Sequence, residues 1–192
     1  MDTVRNLETI LEEIRLCRAP GDDGKLPALF TDLDSAALDE AELPGSFFQG
    51  VLELQRDKDF CSLDNSWTIL YFLNNNWDQV TSQQREELRS VLNEGFDKYH
   101  NWMGAFVTSE LLGERYADEN ALKALIDLGE SARLPARAAV PHGLEALAKT
   151  TADESLRGVA IDRLQKLQKS ESEEVRKEAL ISLRKLGGSA SL

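Results

Sequence analysis

The chain has 192 residues, enough for one domain with a substantial core, and 42% of them are hydrophobic, which excludes a disordered tail. Its 34 acidic and 22 basic side chains give a formal net charge of −12, which opposes binding to nucleic acid and to anionic membrane surfaces. No stretch approaches the ~18 consecutive apolar residues of a membrane span, and two cysteines, Cys17 and Cys61, are too few for a disulfide framework.

The opening stretch, MDTVRNLETILEEIRLC, has acids scattered through it and lacks the continuous apolar run of a signal peptide. A soluble, cytoplasmic protein is the expectation. Val4, Leu7, Leu11 and Ile14 recur at helical spacing and predict one apolar stripe. GDDGK (21–25) reads as a turn, and residues 28–43 and 46–56 read as shorter helices. SWTILYFL (66–73) is apolar nearly all round, which predicts a helix covered on several sides.

Acidity is uneven along the chain. Residues 1–60 hold 14 acids and 6 bases, residues 61–117 hold 8 and 4, and residues 118–192 hold 12 of each. The densest part is DLDSAALDEAEL (32–43). It is either a solvated face or the rim of a contact with a basic partner, with Asp32, Asp34, Asp39, Glu40 and Glu42 as the candidate contacts. It is not a calcium loop, because the sixth position lacks glycine and Leu43 stands where the twelfth-position Glu belongs. Cys17, Cys61, His100 and His142 match no zinc spacing, so no metal is expected.

FLNNNWDQV (72–80) is a second candidate contact. Asn74, Asn75 and Asn76 favour a helix end, because their side chains compete for backbone hydrogen bonds. Beside Trp77 and Asp78 they also offer paired donors and acceptors suited to a binding surface. The alternative is a capped helix C-terminus with Trp77 tucked against the core. In KYHNWMGAF (98–106), Trp102 is either a contact or part of a core stripe with Phe106, and His100 reads as a surface or capping residue.

The C-terminal half repeats itself. DESLRGVAIDRLQKL (153–167) and SEEVRKEALISLRKL (172–186) agree at an offset of nineteen, matching Leu156, Arg157, Ala160, Ile161, Leu164 and Leu167 with Val175, Arg176, Ala179, Leu180, Leu183 and Leu186. At an offset of thirty-nine, nine positions from Ala121 to Leu147 match positions from Ala160 to Leu186, Arg137 falling on Arg176. Leu164 and Leu183 are expected where stacked helices meet. The spacing predicts helix pairs at 82–99 with 101–115, 118–129 with 134–149, and 153–168 with 172–186. Thr151 with Glu154, and Ser170 with Glu173, fit the capping-box pattern. Pro141 is expected to kink or break its helix just before His142. Ile181 lies off the stripe and is expected at the surface.

Helix pairs of this period, with V-R-x-x-A-x-x-x-L opening the second helix as in EVRKEALISLRKL and more loosely in PARAAVPHGLEAL, resemble HEAT repeats over residues 82–186. The resemblance implies an all-α fold, a right-handed superhelix of about three pairs over 81–187, with residues 1–80 as an N-terminal helical cap, all in one domain. It further implies that Arg137 and Arg176 tie one repeat to its neighbour, and that the second helix of each pair lines the concave face.

A HEAT-like surface has no chemistry of its own, and no phosphate-binding glycine loop or nucleophile motif is present in the sequence. The expectation is a non-catalytic protein-binding module without cofactor, monomeric when free. Its sharpest form is an acidic, bacterial immunity or antitoxin-type inhibitor that covers a basic toxin or enzyme. The alternatives are an adaptor subunit of a larger complex, or a HEAT-like enzyme of the DNA glycosylase or bilin lyase type. A glycosylase would need a basic face, which no third of this chain supplies.

Overall fold

The computed structural model of the protein describes residues 6–18, 21–38, 40–94 and 102–188, and every regular element among them is helical. No helix among the described residues is long and apolar enough to cross a membrane. Val4 and Asp39, with Tyr99 and His100, lie outside the described residues. The chain divides into two compact units. The first takes residues up to Glu94 together with 102–104, and the second takes residues from Ala105 onward.

The first unit begins with α1 (Leu7–Leu16), where Asn6 Oδ1 accepts the Thr9 N–H at 2.8 Å and satisfies one of the free amides of the first turn. Leu7, Ile10, Leu11 and Ile14 form the expected buried stripe. A 3₁₀ turn at Asp22–Gly24 leads into α2 (Leu26–Ala37), which starts with a proline in its first turn. There follow α3 (Gly45–Arg56), α4 (Lys58–Cys61), α5 (Thr68–Asn75), a 3₁₀ turn at Trp77–Gln79 and α6 (Ser82–Asn93). Thr81 and Gln84 close a capping box on α6. In α5 Ile69, Leu70, Phe72 and Leu73 are buried, and Tyr71 is exposed, so the helix has one open face.

α1, α3 and α6 are joined by polar pairs at a constant separation of thirty-eight residues. Glu8 accepts from Ser46, Glu53 pairs with Arg15, Glu87 accepts from Gln49, and Glu94 pairs with Arg56. A constant offset means that neighbouring helices run in the same direction. Gly50 lets α1 and α3 approach closely, because a Cβ there would strike the Leu11 side chain and the Arg15 guanidinium. Beneath these helices Phe47, Phe48, Phe60 and Phe72 are fully buried, and Phe47 meets Phe72 edge-on with centroids 5.8 Å apart.

The second unit holds most of α7 (Trp102–Leu111), a π turn at Leu112–Tyr116, α8 (Glu119–Gly129), α9 (Leu134–Thr150), α10 (Glu154–Leu167) and α11 (Glu173–Gly188). α9 is its centre and packs on the π turn, α8, α10 and α11. The closest approach is between Gly113 and Gly143. A Cβ on Gly113 would collide with the Gly143 carbonyl, and one on Gly143 would collide with Leu125 and Ser109. Ser109 Oγ donates to the Ala139 carbonyl at 3.0 Å across the same junction.

Three sequence expectations are corrected in this unit. First, the caps of α10 and α11 are Asp153, which accepts from the Ser155 and Leu156 amides, and Ser172, which accepts from the Val175 amide. Thr151 and Ser170 act one step earlier, each accepting the N–H two residues on, at 3.2 and 3.3 Å. A carboxylate two residues closer to the free amides is the stronger acceptor, which moves the cap of α10 from Thr151 to Asp153.

Second, of the two outcomes expected at Pro141, the break does not occur, and α9 runs on through it. The ring removes one backbone bond, but the helix is held on several sides by its neighbours, so packing outweighs the local defect. Third, the repeat is only partly in register with burial. Val175, Ala179 and Ser182 face inward on α11, whereas Leu180 is 39% exposed and Leu183 and Leu186 are half-buried. In the preceding pair, Leu125, Leu128, Leu144 and Leu147 are buried, since α9 has α10 and α11 against it. Ile181 is half-buried, so Leu180 is the more exposed of the two.

Candidate partner-binding surface

On α2, Leu26, Leu29, Phe30, Leu33 and Ala37 turn inward, which leaves the intervening acids outside. Asp32 and Asp34 are two residues apart and so lie about 200° around the helix from one another. The structure therefore separates a pair that the sequence groups together. Asp34 is exposed and accepts from Asn76 Nδ2 at 3.2 Å. Asp32 faces a groove shared with α1.

Asn76 Nδ2 also donates to the Phe72 carbonyl at 2.9 Å, finishing α5 as an asparagine at a helix end should. Gln79 Nε2 donates to the Ala37 carbonyl, the Leu43 amide donates to the Gln79 carbonyl, and Gln84 Nε2 donates to the Leu43 carbonyl. The asparagine run and the acidic run, forty residues apart in sequence, thus share one surface. In these two runs Asn75, Asp78, Glu40 and Glu42 are exposed, and Asn74 is half-buried. Leu38, at 79% exposure, stands in the same run as Asp34 and Glu40.

Trp77 takes the other of its two expected places. It is 8% exposed, its carbonyl accepts from Arg85 Nη2 at 2.8 Å, and the guanidinium lies 5.0 Å from its ring centroid. It closes the core under the turn, and the polar side chains around it carry the surface. Trp102 is half-buried. Cys17 and Cys61 are buried and form no disulfide, and their thiols meet backbone carbonyls.

A polar cluster in the second unit has no signature in the sequence. His142, 8% exposed, places Nε2 2.9 Å from Glu178 Oε2 and meets Phe106 edge-on at 4.8 Å. One turn on, buried Glu145 accepts from Lys149 at 2.6 Å and faces Lys185 at 3.5 Å. Burial pushes the Glu110 carboxyl above the usual range, and the Glu114 charge adds to this, while His142 and Lys185 oppose it. The cluster joins residues of α7, α9 and α11 by charge, and its carboxylates already have cations or an imidazole to meet. Only the spacing of His142 and Glu145 on one helix could have hinted at it; Glu178 and Lys185 arrive by packing. Among the described residues no group of three or more His, Cys, Asp or Glu could hold a metal ion.

No family model, curated protein or solved structure compared with the chain matches it.

Proposed function

We propose that the chain is a non-catalytic protein-binding module built throughout from HEAT-like helix pairs, and that it binds a basic protein through its acidic first unit. The first helices of the pairs start at Leu7, Gly45, Ser82, Glu119 and Glu154, between thirty-five and thirty-eight residues apart. On this reading residues 1–80 are two further pairs, α1 with α2 and α3 with α5, in place of a cap. The observation that carries the functional reading is that the run holding the exposed Asp34, Leu38, Glu40 and Glu42 is bonded to the run holding the exposed Asn75 and Asp78, through Asp34 with Asn76 and Ala37 with Gln79. The first run sets an exposed leucine among carboxylates in the most acidic third of the chain. A partial apolar anchor within a charged surface suits recognition, with the charges steering encounter.

The sharper form of the proposal is an immunity or antitoxin-type inhibitor that covers a basic toxin or enzyme. The test is affinity capture from the native host. The wild-type chain and a variant with Asp32, Asp34, Asp39, Glu40 and Glu42 changed to Asn or Gln are used side by side. The reading expects a basic protein that co-elutes with the first and is lost from the second; identical eluates would overturn it. An adaptor role is the second reading, favoured by Val159 and Leu180, which are 41% and 39% exposed on the last pair. It expects a multi-subunit assembly in both eluates, lost instead on Leu180→Ser.

A further inference from the structure

We propose that the groove between α1 and α2 receives an apolar side chain carried on a basic segment of the partner. This rests on the acidic-unit reading above and names what the partner must present. The groove is open to solvent and offers about 420 Å³, room for a side chain laid into it from outside. Its apolar wall is Leu29 and Cys17, both buried, with Ala28 exposed beside them. Leu16 stands at its margin with 79% of its surface in water. A lone exposed leucine is ordinary. A leucine beside an apolar wall offers a site where an incoming aliphatic side chain is covered from two directions.

The charge around the groove selects what carries that side chain. Among the described residues that line it, Glu13, Asp22 and Asp32 stand against Lys25, which is held by Asp22 at 2.7 Å. The balance is negative, within a stretch that holds 14 acids and 6 bases over residues 1–60. A lysine- or arginine-bearing segment meets this field favourably. A second copy of the chain would bring a net charge of −12 against it, so a foreign basic segment is the occupant that the electrostatics favours.

The test uses the full chain and two labelled probes read by fluorescence anisotropy. One is an amphipathic lysine–leucine peptide of about four helical turns. The other has the same lysines with every leucine replaced by serine. The lysine–leucine peptide binds the wild-type chain, and Leu16→Ser weakens it about tenfold, the loss of one partly covered aliphatic contact. The serine peptide binds more weakly and is indifferent to Leu16→Ser. Asp32→Asn weakens both peptides and flattens the salt dependence. Leu16 is exposed, so its variant keeps the wild-type melting curve, which circular dichroism checks.

Equal binding of the two peptides, or wild-type affinity in Leu16→Ser, overturns the proposal. Failure of the wild-type chain to bind the lysine–leucine peptide overturns it as well. Sedimentation that reveals self-association lost in Leu16→Ser would assign the groove to a second copy and also overturn it. Glu40→Gln with Glu42→Gln separates the two readings. If that variant loses the host partner while the groove variants retain it, the acidic-surface reading stands and the groove falls.

Discussion

At the residue scale, burial decides which repeats of a pattern carry stability. Leu164 and Leu183 occupy matching positions, yet Leu164 is fully buried and Leu183 is half-buried beside a groove of polar side chains. Leu164→Ala is therefore expected to cost about 2–5 kcal/mol and Leu183→Ala about 1 kcal/mol, by urea melts of each variant. Trp77→Ala removes a ring stacked under Arg85 and is expected to cost about 3–5 kcal/mol, so its melting curve falls before any loss of binding can be read. Glu110 gives a pH test. Its folded-state carboxyl binds a proton more tightly than in the unfolded chain, chiefly through burial and then through Glu114. The penalty is thus absent below the unfolded carboxyl range and complete once pH exceeds the raised value. Glu110→Gln should raise the melting temperature near pH 7 and leave it nearly unchanged near pH 4; equal shifts at both would refute the assignment.

At the element scale, the recurring arginine has a specific task in the second unit. Arg137 donates to the Ser131 and Ala132 carbonyls, Arg157 to Ala148 and Thr151, and Arg176 to Ser170 and Glu171. In each case the arginine reaches the carbonyl six residues back. That same residue is Ser, Thr or Ser, and its hydroxyl accepts the amide two residues on. The unit is a loop clasp, spelled S/T-x5-R, and it recurs at the starts of three successive helices, α9, α10 and α11, and so not once per pair. This corrects the expected role of tying one repeat to its neighbour, since the guanidinium secures the turn before its own helix. Arg137→Ala and Arg176→Ala should each cost about 1–2 kcal/mol, the range for charge-assisted bonds that keep some access to water. Ser131→Ala combined with Arg137→Ala should cost less than the sum of the single changes, because both serve one turn.

At the scale of the whole molecule, the uneven charge bears on the proposed encounter with a basic partner. The first sixty residues carry an excess of eight negative charges, and residues 118–192 carry none. Exposed charges are individually weak, so the asymmetry does little for the fold. Once the host partner is in hand, stopped-flow mixing measures what it does for binding. Neutralising Asp32, Asp34, Asp39, Glu40 and Glu42 should slow association and flatten its salt dependence, with dissociation changed less. Screening acts over ~8 Å at ~0.15 M salt, so added salt should reproduce the variant in the wild-type chain. A native association rate in the variant would reduce the acids to a solvated face.

The helical class, the stripes of α1 and of α8 to α10, and the approximate helix bounds in the second half are legible in the sequence because helical periodicity is local. Leu7, Leu11 and Ile14 recur every three or four residues wherever the rest of the chain goes. The S/T-x5-R spacing was equally present, but its meaning appears only when a loop closes on itself. Packing decided the rest. Leu128 is buried and Leu167 half-buried although they match in the repeat, and nothing within either helix records that difference. Pro141 stays inside a helix because neighbours on several sides outweigh one lost bond. His142 finds Glu178, and Asp34 finds Asn76, across separations of thirty-six and forty-two residues. Such meetings depend on chain reversal and helix packing, which periodicity does not encode, so the candidate surface could be assembled only by the tertiary structure.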